Sequence, residues 1–322
     1  MKEKLELLII TASIFPMNEE QKKEINNTAP GISITIADAK EVTQEMIQNA
    51  EIIFGWLTKE QRSWAKKLRW LHLPSAGADG YTQPEDYCNK DIRVSTSSGV
   101  FGQPIAEHVF AMILAHNRNL QEYSYRKLEK SWFRSWEVKD FYGSTIGILG
   151  LGDIGTQIAK RAKAWGARVL AVKRSRTAAP EYVDSLYTMD ELDEVLGQSD
   201  YVVLALPSTH RTRGLITEHR LRQMKPGAFL VNIGRGALID QEALVKALTE
   251  GWIGGAGLDV TEPEPLPENS PLWELPNVIL TPHTSGGSPT NDKRRTSIFC
   301  RNLECYLEGR PLQNQVDFNE EY

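Results

Sequence analysis

The sequence is short of cysteine, of long apolar runs and of excess positive charge. Its three cysteines, Cys88, Cys300 and Cys305, are scattered, too few for a disulfide framework. They suit a reducing compartment, so the expected location is cytoplasmic. No C-x-x-C and no Cys/His cluster occurs, so no metal site is expected. No stretch is long and apolar enough to span a bilayer. The opening MKEKLELLII carries basic residues before an apolar run, but Glu3 and Glu6 interrupt it. It reads as a first strand rather than a signal peptide. Lys and Arg number 37 against 42 Asp and Glu, a formal net charge of −5. That balance offers no general attraction to nucleic acid or to an anionic membrane.

What the sequence has is ordinary globular composition, 41% hydrophobic and 25% charged over 322 residues, which is length enough for two domains. It is organised around residues 145–155, TIGILGLGDIG. Ile146, Ile148 and Leu149 form the short apolar run of a buried parallel strand. Gly150, Gly152 and Gly155 follow at G-x-G-x-x-G spacing, and apolar residues then recur at helical intervals. The first glycine allows the turn, the second lets backbone approach a pyrophosphate, and the third lets helix and strand pack closely. The free N–H groups and dipole of the helix start favour a phosphate. Without its flanks this pattern is only a tight turn; with them it points to a dinucleotide.

Upstream, β-rich runs at 7–10, 32–36, 52–56, 70–73 and 92–94 alternate with helical candidates such as 18–26 and 43–49. This predicts a small parallel α/β domain. The loop Ser75-Ala76-Gly77 follows the fourth strand and Ser97-Ser98-Gly99 the fifth. Ligands in such sheets bind beyond the strands' carboxyl ends, and small residues leave amides free to hold a carboxylate. Ordinary turn chemistry explains these loops equally well. Gly102-Gln103-Pro104 then precedes a long helical pattern, with Pro104 suited to the first helical position. His108 lies on this helix and reads as structural. Residues 123–140 hold Trp132, Phe133 and Trp136 among many charges, either an inter-subunit segment or a covering loop.

Downstream, strands are expected at 168–172, 201–206, 229–233, 256–259 and 278–280. Helices are expected near 217–224 and 240–250, and a capping-box pattern at Thr188 opens another. This is the pattern of a doubly wound parallel sheet. Three ionisable residues follow successive strands: Arg235, Glu264 and His283. Taken singly each reads as structural. Together, at the edge where a doubly wound sheet gathers its strand ends, they form a coherent catalytic set.

GILGLGDIG, VNIGRGALID around Arg235, GLDVTEPEPLP around Glu264 and LTPHTSGG around His283 resemble the D-isomer-specific 2-hydroxyacid dehydrogenase family, and SSGVFGQPIAEHVFAMIL resembles its domain-connecting segment. The likeness covers nearly the whole chain. It implies two doubly wound domains: a Rossmann dinucleotide-binding domain, residues 101–285, inserted into a smaller flavodoxin-like substrate domain of residues 1–100 plus 286–322. It implies a homodimer, and reversible reduction of a 2-oxoacid to a D-2-hydroxyacid with hydride from a nicotinamide. His283 then donates or accepts the proton, since imidazole titrates near neutrality, and Glu264 orients it. Arg235 holds the substrate carboxylate and polarises the carbonyl, with Ser75, Ala76 and Gly77 also binding substrate. The expected cofactor set is Gly150, Gly152, Asp153, Ile154, Gly155, Lys173, Arg174, Ser175, Leu206, Pro207, Thr212, Ile233, Gly234, Asp259 and His283. By resemblance, Asp259 helps place the nicotinamide carboxamide.

The cofactor expected is NADP, with NAD possible. An acid some twenty residues past the glycines marks NAD. Here strand 168–172 runs into Lys173, Arg174, Ser175 and Arg176, with no Asp or Glu before Glu181. Those cations and the Ser175 hydroxyl suit a 2′-phosphate, Arg174 first because its fork binds in two places. The competing reading is a non-catalytic dinucleotide sensor on the same fold; formate oxidation ranks below both.

Overall fold

The computed structural model describes residues 5–175 and 177–322. Along the first hundred residues run β1 (Glu6–Thr11), α1 (Glu19–Thr28), β2 (Ser33–Asp38), α2 (Gln44–Asn49), β3 (Ile52–Phe54), α3 (Lys59–Trp64), β4 (Trp70–Leu73) and β5 (Arg93–Thr96). Next come α4 (Gly102–Asn117), α5 (Leu120–Leu128), β6 (Thr145–Leu149), α6 (Asp153–Ala164), β7 (Arg168–Val172), β8 (Ser185–Tyr187), α7 (Leu192–Gln198) and β9 (Tyr201–Leu204). The chain continues through α8 (Glu218–Gln223), β10 (Phe229–Asn232), α9 (Gln241–Thr249), β11 (Gly255–Leu258), β12 (Val278–Leu280) and α10 (Asn291–Leu307). It divides into two compact units, residues 1–100 with 288–322, and residues 101–287.

The smaller unit holds a five-stranded parallel sheet in the order β2-β1-β3-β4-β5, the flavodoxin-like winding. Its middle strands are buried on both faces, as runs such as LLII and WLHL require. Reciprocal capping boxes set two of its helices. Asn18 opens α1 and Thr58 opens α3, each with a reciprocal Gln three residues on. One face of the sheet packs Phe54 and Trp70 against Phe299 of α10, ring centroids 4.3 and 5.2 Å apart. Next to them His72, wholly buried, lies 2.8 Å from Ser95 Oγ through Nδ1 and 3.2 Å from Ser97 Oγ through Nε2.

The larger unit holds seven parallel strands ordered β12-β11-β10-β9-β6-β7-β8. Renumbered within the unit, that is the Rossmann winding with one strand added at the edge. Two apolar layers flank the sheet. One is built on α4 and α6, with Val109, Ile113, Ile158 and Ala162; the other on α7 and α9, with Val195, Leu196, Leu244 and Ala247. The helix expected at Pro104 begins at Gly102, which places the proline at its third position. The Thr188 capping box opens a 3-10 turn, Met189–Glu191, that leads into α7. Segment 123–140 starts inside α5 and is irregular from residue 131. No helix among the described residues is long and apolar enough to cross a membrane.

Candidate active site

At the end of β6 the backbone turns sharply. Gly150 sits at φ +104°, and a Cβ there would lie 2.4 Å from the Ala205 carbonyl oxygen. A Cβ on Gly155 would lie 1.9 Å from Gly150 O, so α6 can approach the strand only because this residue is glycine. Gly152 differs. A Cβ there meets nothing within 4 Å, and Gly152, the N-cap of α6, brings no side chain to cap the first turn. An open, uncapped helix start at the carboxyl end of β6 fits a cofactor pyrophosphate. The switch point of the winding lies here, between β6 and β9. The Asp153 carboxylate accepts the Gly102 N–H at 3.0 Å, so it serves the start of α4, and Ile154 packs at the edge of the core.

Around this turn lie the other expected cofactor residues. Arg174 and Ser175 are exposed beyond β7, whereas the Lys173 amide donates to Tyr187 O at 2.9 Å; Arg176 lies outside the described residues. Thr212 is buried. Its hydroxyl donates to Pro207 O at 2.7 Å and accepts the Thr209 N–H at 2.8 Å, which closes the loop after β9. Leu206 packs against the core beside it, and a Cβ on Gly234 would lie 2.6 Å from Leu206 O.

Register explains how the loops that carry Arg235, Glu264 and His283 come level. Asn232 pairs with Leu258, and Leu258 with Leu280, so β10, β11 and β12 end level. After β10, fully buried Asn232 accepts the Gly234 N–H through Oδ1 (3.1 Å) and donates through Nδ2 to Arg235 O (2.8 Å). Ile233 is buried, and the Arg235 guanidinium donates to Gly234 O at 2.7 Å. A Cβ on Gly236 would lie 2.0 Å from Thr261 O, so the Arg235 turn presses on the loop after β11. That loop carries Glu264. After β12, His283 Nδ1 lies 3.1 and 3.2 Å from the two Glu264 carboxylate oxygens, and both side chains remain reachable from solvent. His283 takes a left-handed φ of +50°, uncommon outside glycine. Its N–H donates to Asp259 O at 2.8 Å.

The Asp259 carboxylate is 1% exposed. Burial works to raise its pKa. Hydrogen bonds from Ser285, Thr281 and the Thr284 and Ser285 amides outweigh that and hold it below the usual range. The shortest is Thr281 Oγ1 to Oδ1, 2.6 Å. Thr281 also lies 3.0 Å from His108 Nε2 on α4, so His108 is tied to the loop after β12. Nothing in the sequence joins these two residues, 173 positions apart.

In the smaller unit, Ser75 Oγ donates to Gly77 O at 2.8 Å, and Ser75 O accepts the Ser97 N–H at 2.8 Å. The loop is braced by Arg295 of α10. Its buried guanidinium donates to Pro74 O (3.0 Å) and Ile14 O (2.8 Å). Burial lowers the Arg295 pKa, partly offset by Asp292. Sequence reasoning missed Asn232, Thr281 and Arg295: the first two lie inside the stretches around Arg235 and His283, but their roles rest on partners that only the fold supplies, and Arg295 lies in no such stretch. No group of three or more His, Cys, Asp or Glu among the described residues is arranged for a metal ion.

Residues 110–285 match the family model described as D-isomer specific 2-hydroxyacid dehydrogenase, NAD binding domain. The chain belongs to the D-isomer-specific 2-hydroxyacid dehydrogenase family. It is 35% identical over 294 residues to a glyoxylate reductase from Korarchaeum cryptofilum, covering 87% of this chain and 86% of that protein. A family structure from Aeromonas salmonicida superposes with a TM-score of 0.86 at 34% identity, over 98% of this chain and 100% of that one. A second, from Xanthobacter autotrophicus, was solved in complex with NADPH and MES. It gives 0.84 at 28% identity, over 98% and 99%. As a member of this family the chain is an NAD(P)-dependent oxidoreductase, and it shares the two-domain parallel α/β fold of these structures.

Proposed function

We propose that the enzyme reduces a small 2-oxoacid, glyoxylate being the first to try, to its 2-hydroxyacid (D-configured where the carbon is chiral), and that it prefers NADPH. The observation that carries this reading is the His283–Glu264 contact at 3.1 Å, on loops level with Arg235. The residues of the larger unit that would hold the cofactor are the Gly150–Gly155 turn, the residues after β7 and β9, Ile233, Gly234 and Asp259. When bound, the nicotinamide supplies the hydride.

The remaining chemistry belongs to side chains. With Nδ1 donating to Glu264, Nε2 of His283 is the ring nitrogen left to give a proton to the developing alkoxide, or to take one in reverse. Arg235 stays cationic. It holds the carboxylate and draws charge onto the carbonyl oxygen. The Ser75–Gly77 amides of the smaller unit are the second carboxylate holder. Exposed Arg174 and Ser175, with no acid before Glu181, support the NADPH preference. Further, the chain is a homodimer of the cytoplasm. The pairing is supported by the aromatic run in segment 123–140, where Trp132 and Trp136 are 92% and 83% exposed, and the location by the three scattered cysteines.

The test is turnover of His283→Ala with a panel of 2-oxoacids at saturating substrate. The expected loss is about a hundred- to ten-thousand-fold, with cofactor affinity near normal. Near-wild-type turnover sinks the acid–base role. Arg235→Ala should raise the Michaelis constant of the oxoacid as well, and an unchanged constant removes Arg235 from substrate anchoring.

A further inference from the structure

Thr281 Oγ1 lies 2.6 Å from Asp259 Oδ1 and 3.0 Å from His108 Nε2. A carboxylate only accepts, so the threonine hydrogen points at Asp259. Toward His108 the hydroxyl oxygen is therefore an acceptor, and Nε2 carries a hydrogen. All the donors then run one way: His108 Nε2–H to Thr281, and Thr281 O–H to Asp259. The imidazole is only 21% exposed, and Nε2 is 3.8 Å from Oδ1.

The same Asp259 carboxylate also holds the segment that presents His283. Oδ1 also accepts the Thr284 N–H at 2.9 Å, and Oδ2 accepts the Ser285 N–H at 3.0 Å. Between Thr281 and Thr284 stands His283, in the left-handed region. A non-glycine residue stays there only where its surroundings over-determine it. Here they do so from both sides, through Asp259 O on the His283 amide and the Asp259 carboxylate on the two amides that follow.

We propose that His108 and Thr281 are positioning residues for the reaction: through the Asp259 carboxylate they hold the 281–285 loop so that the His283 ring stays on Glu264. This rests on the acid–base reading of His283. His108 touches no reacting atom. Its effect is on the fraction of molecules in which His283 is aligned, and misplacement of about 1 Å costs on the order of a hundredfold in rate.

The experiment compares His108→Leu, which removes the donor, with His108→Gln, whose Nε2 can occupy the same place. Thr281→Val and Thr281→Ser form an independent pair should His108→Leu fold poorly. For the Leu and Val variants kcat should fall about ten- to a hundredfold, while the KM for the oxoacid and the cofactor affinity stay near wild type. Amide hydrogens of Thr284 and Ser285 should exchange faster. The Gln and Ser variants should recover most of kcat and of the protection. In a His283→Ala background, His108→Leu should cost nothing further. Wild-type kcat and protection in both donor-less variants overturn the inference. So does a Gln variant as slow as the Leu variant, or a double variant much slower than His283→Ala. If His283→Ala alone leaves turnover intact, the acid–base reading fails instead, and the exchange data still report whether the clamp exists.

Discussion

Acidification should destabilise the protein through His72, and the network around that residue gives the size of the effect. Trp70 Nε1 donates to Ser95 Oγ at 2.8 Å, and Ser97 Oγ donates to Leu73 O at 2.9 Å. Ser97 therefore accepts from His72 Nε2–H, and Ser95 gives its own hydrogen to Nδ1. Each group is satisfied only while the ring is neutral, with its hydrogen on Nε2. A second ring proton would point Nδ1–H at Ser95 and leave the Ser95 hydrogen without its acceptor. Burial of the ring drives its pKa from 6.5 down to about 3. The unfolded chain binds this proton near pH 6.5, and the folded one does not until near pH 3. Between those values the unfolded state carries more protons, so stability falls as pH falls. The contribution is complete above pH 6.5 and exhausted below about 3. The slope is about 1.4 kcal/mol per pH unit, so about 3 kcal/mol is lost between pH 6.5 and pH 4. The assay is urea unfolding of the wild type and His72→Gln from pH 7.5 to 4. The difference between the two cancels other titrating groups, such as half-buried His116, which burial lowers to about 4 in the larger unit. That difference should shrink by about 1.4 kcal/mol per unit below pH 6.5. A difference that stays constant across the range, or a His72 ring proton resonance that titrates near pH 6.5 in the folded protein, refutes the argument.

Gly155→Ala should cost about 1–3 kcal/mol or more, because its Cβ would meet backbone at 1.9 Å, and nucleotide binding should weaken with it. Chemical denaturation and a fluorescence titration with NADPH check both, and wild-type behaviour in either removes the close-approach argument. Arg174→Ala should weaken NADPH much more than NADH, and equal losses, or higher efficiency of the unmodified enzyme with NADH, overturn the cofactor preference. Light scattering at micromolar protein should give the mass of a dimer, whereas a monomer's mass contradicts the proposed pairing.

Strong local patterns carried most of the architecture. The strand, glycine turn and helix of residues 145–164 were legible because steric demand at Gly150 and Gly155 is written in residue type alone. Buried parallel strands announce themselves as apolar runs, which is why β1, β4, β7, β10 and β12 fall where those runs lie. The helix caps at Asn18, Thr43, Thr188, Thr217 and Asp240 follow the same logic, since the capping side chain sits in the sequence beside the amides it serves. Weak patterns were lost. Strand β8 has three half-buried residues and no alternation to mark it. Helix α10 lies outside the helices that the sequence pattern predicts, although Phe299, Cys300 and Leu303 recur on one buried face. Residue order also put Arg235, Glu264 and His283 after successive strands. What only the tertiary structure decided is contact. Parallel register brings the ends of β10, β11 and β12 level, the Gly236 turn presses on Thr261, and the Asp259 carboxylate draws the 281–285 loop inward until His283 reaches Glu264. Those relations join residues some twenty positions apart, and His108 and Thr281 are 173 apart. Hydrogen bonds of that span leave no periodicity in a single sequence, so His108 looked like an ordinary helix-face histidine until the fold placed it 3.0 Å from Thr281.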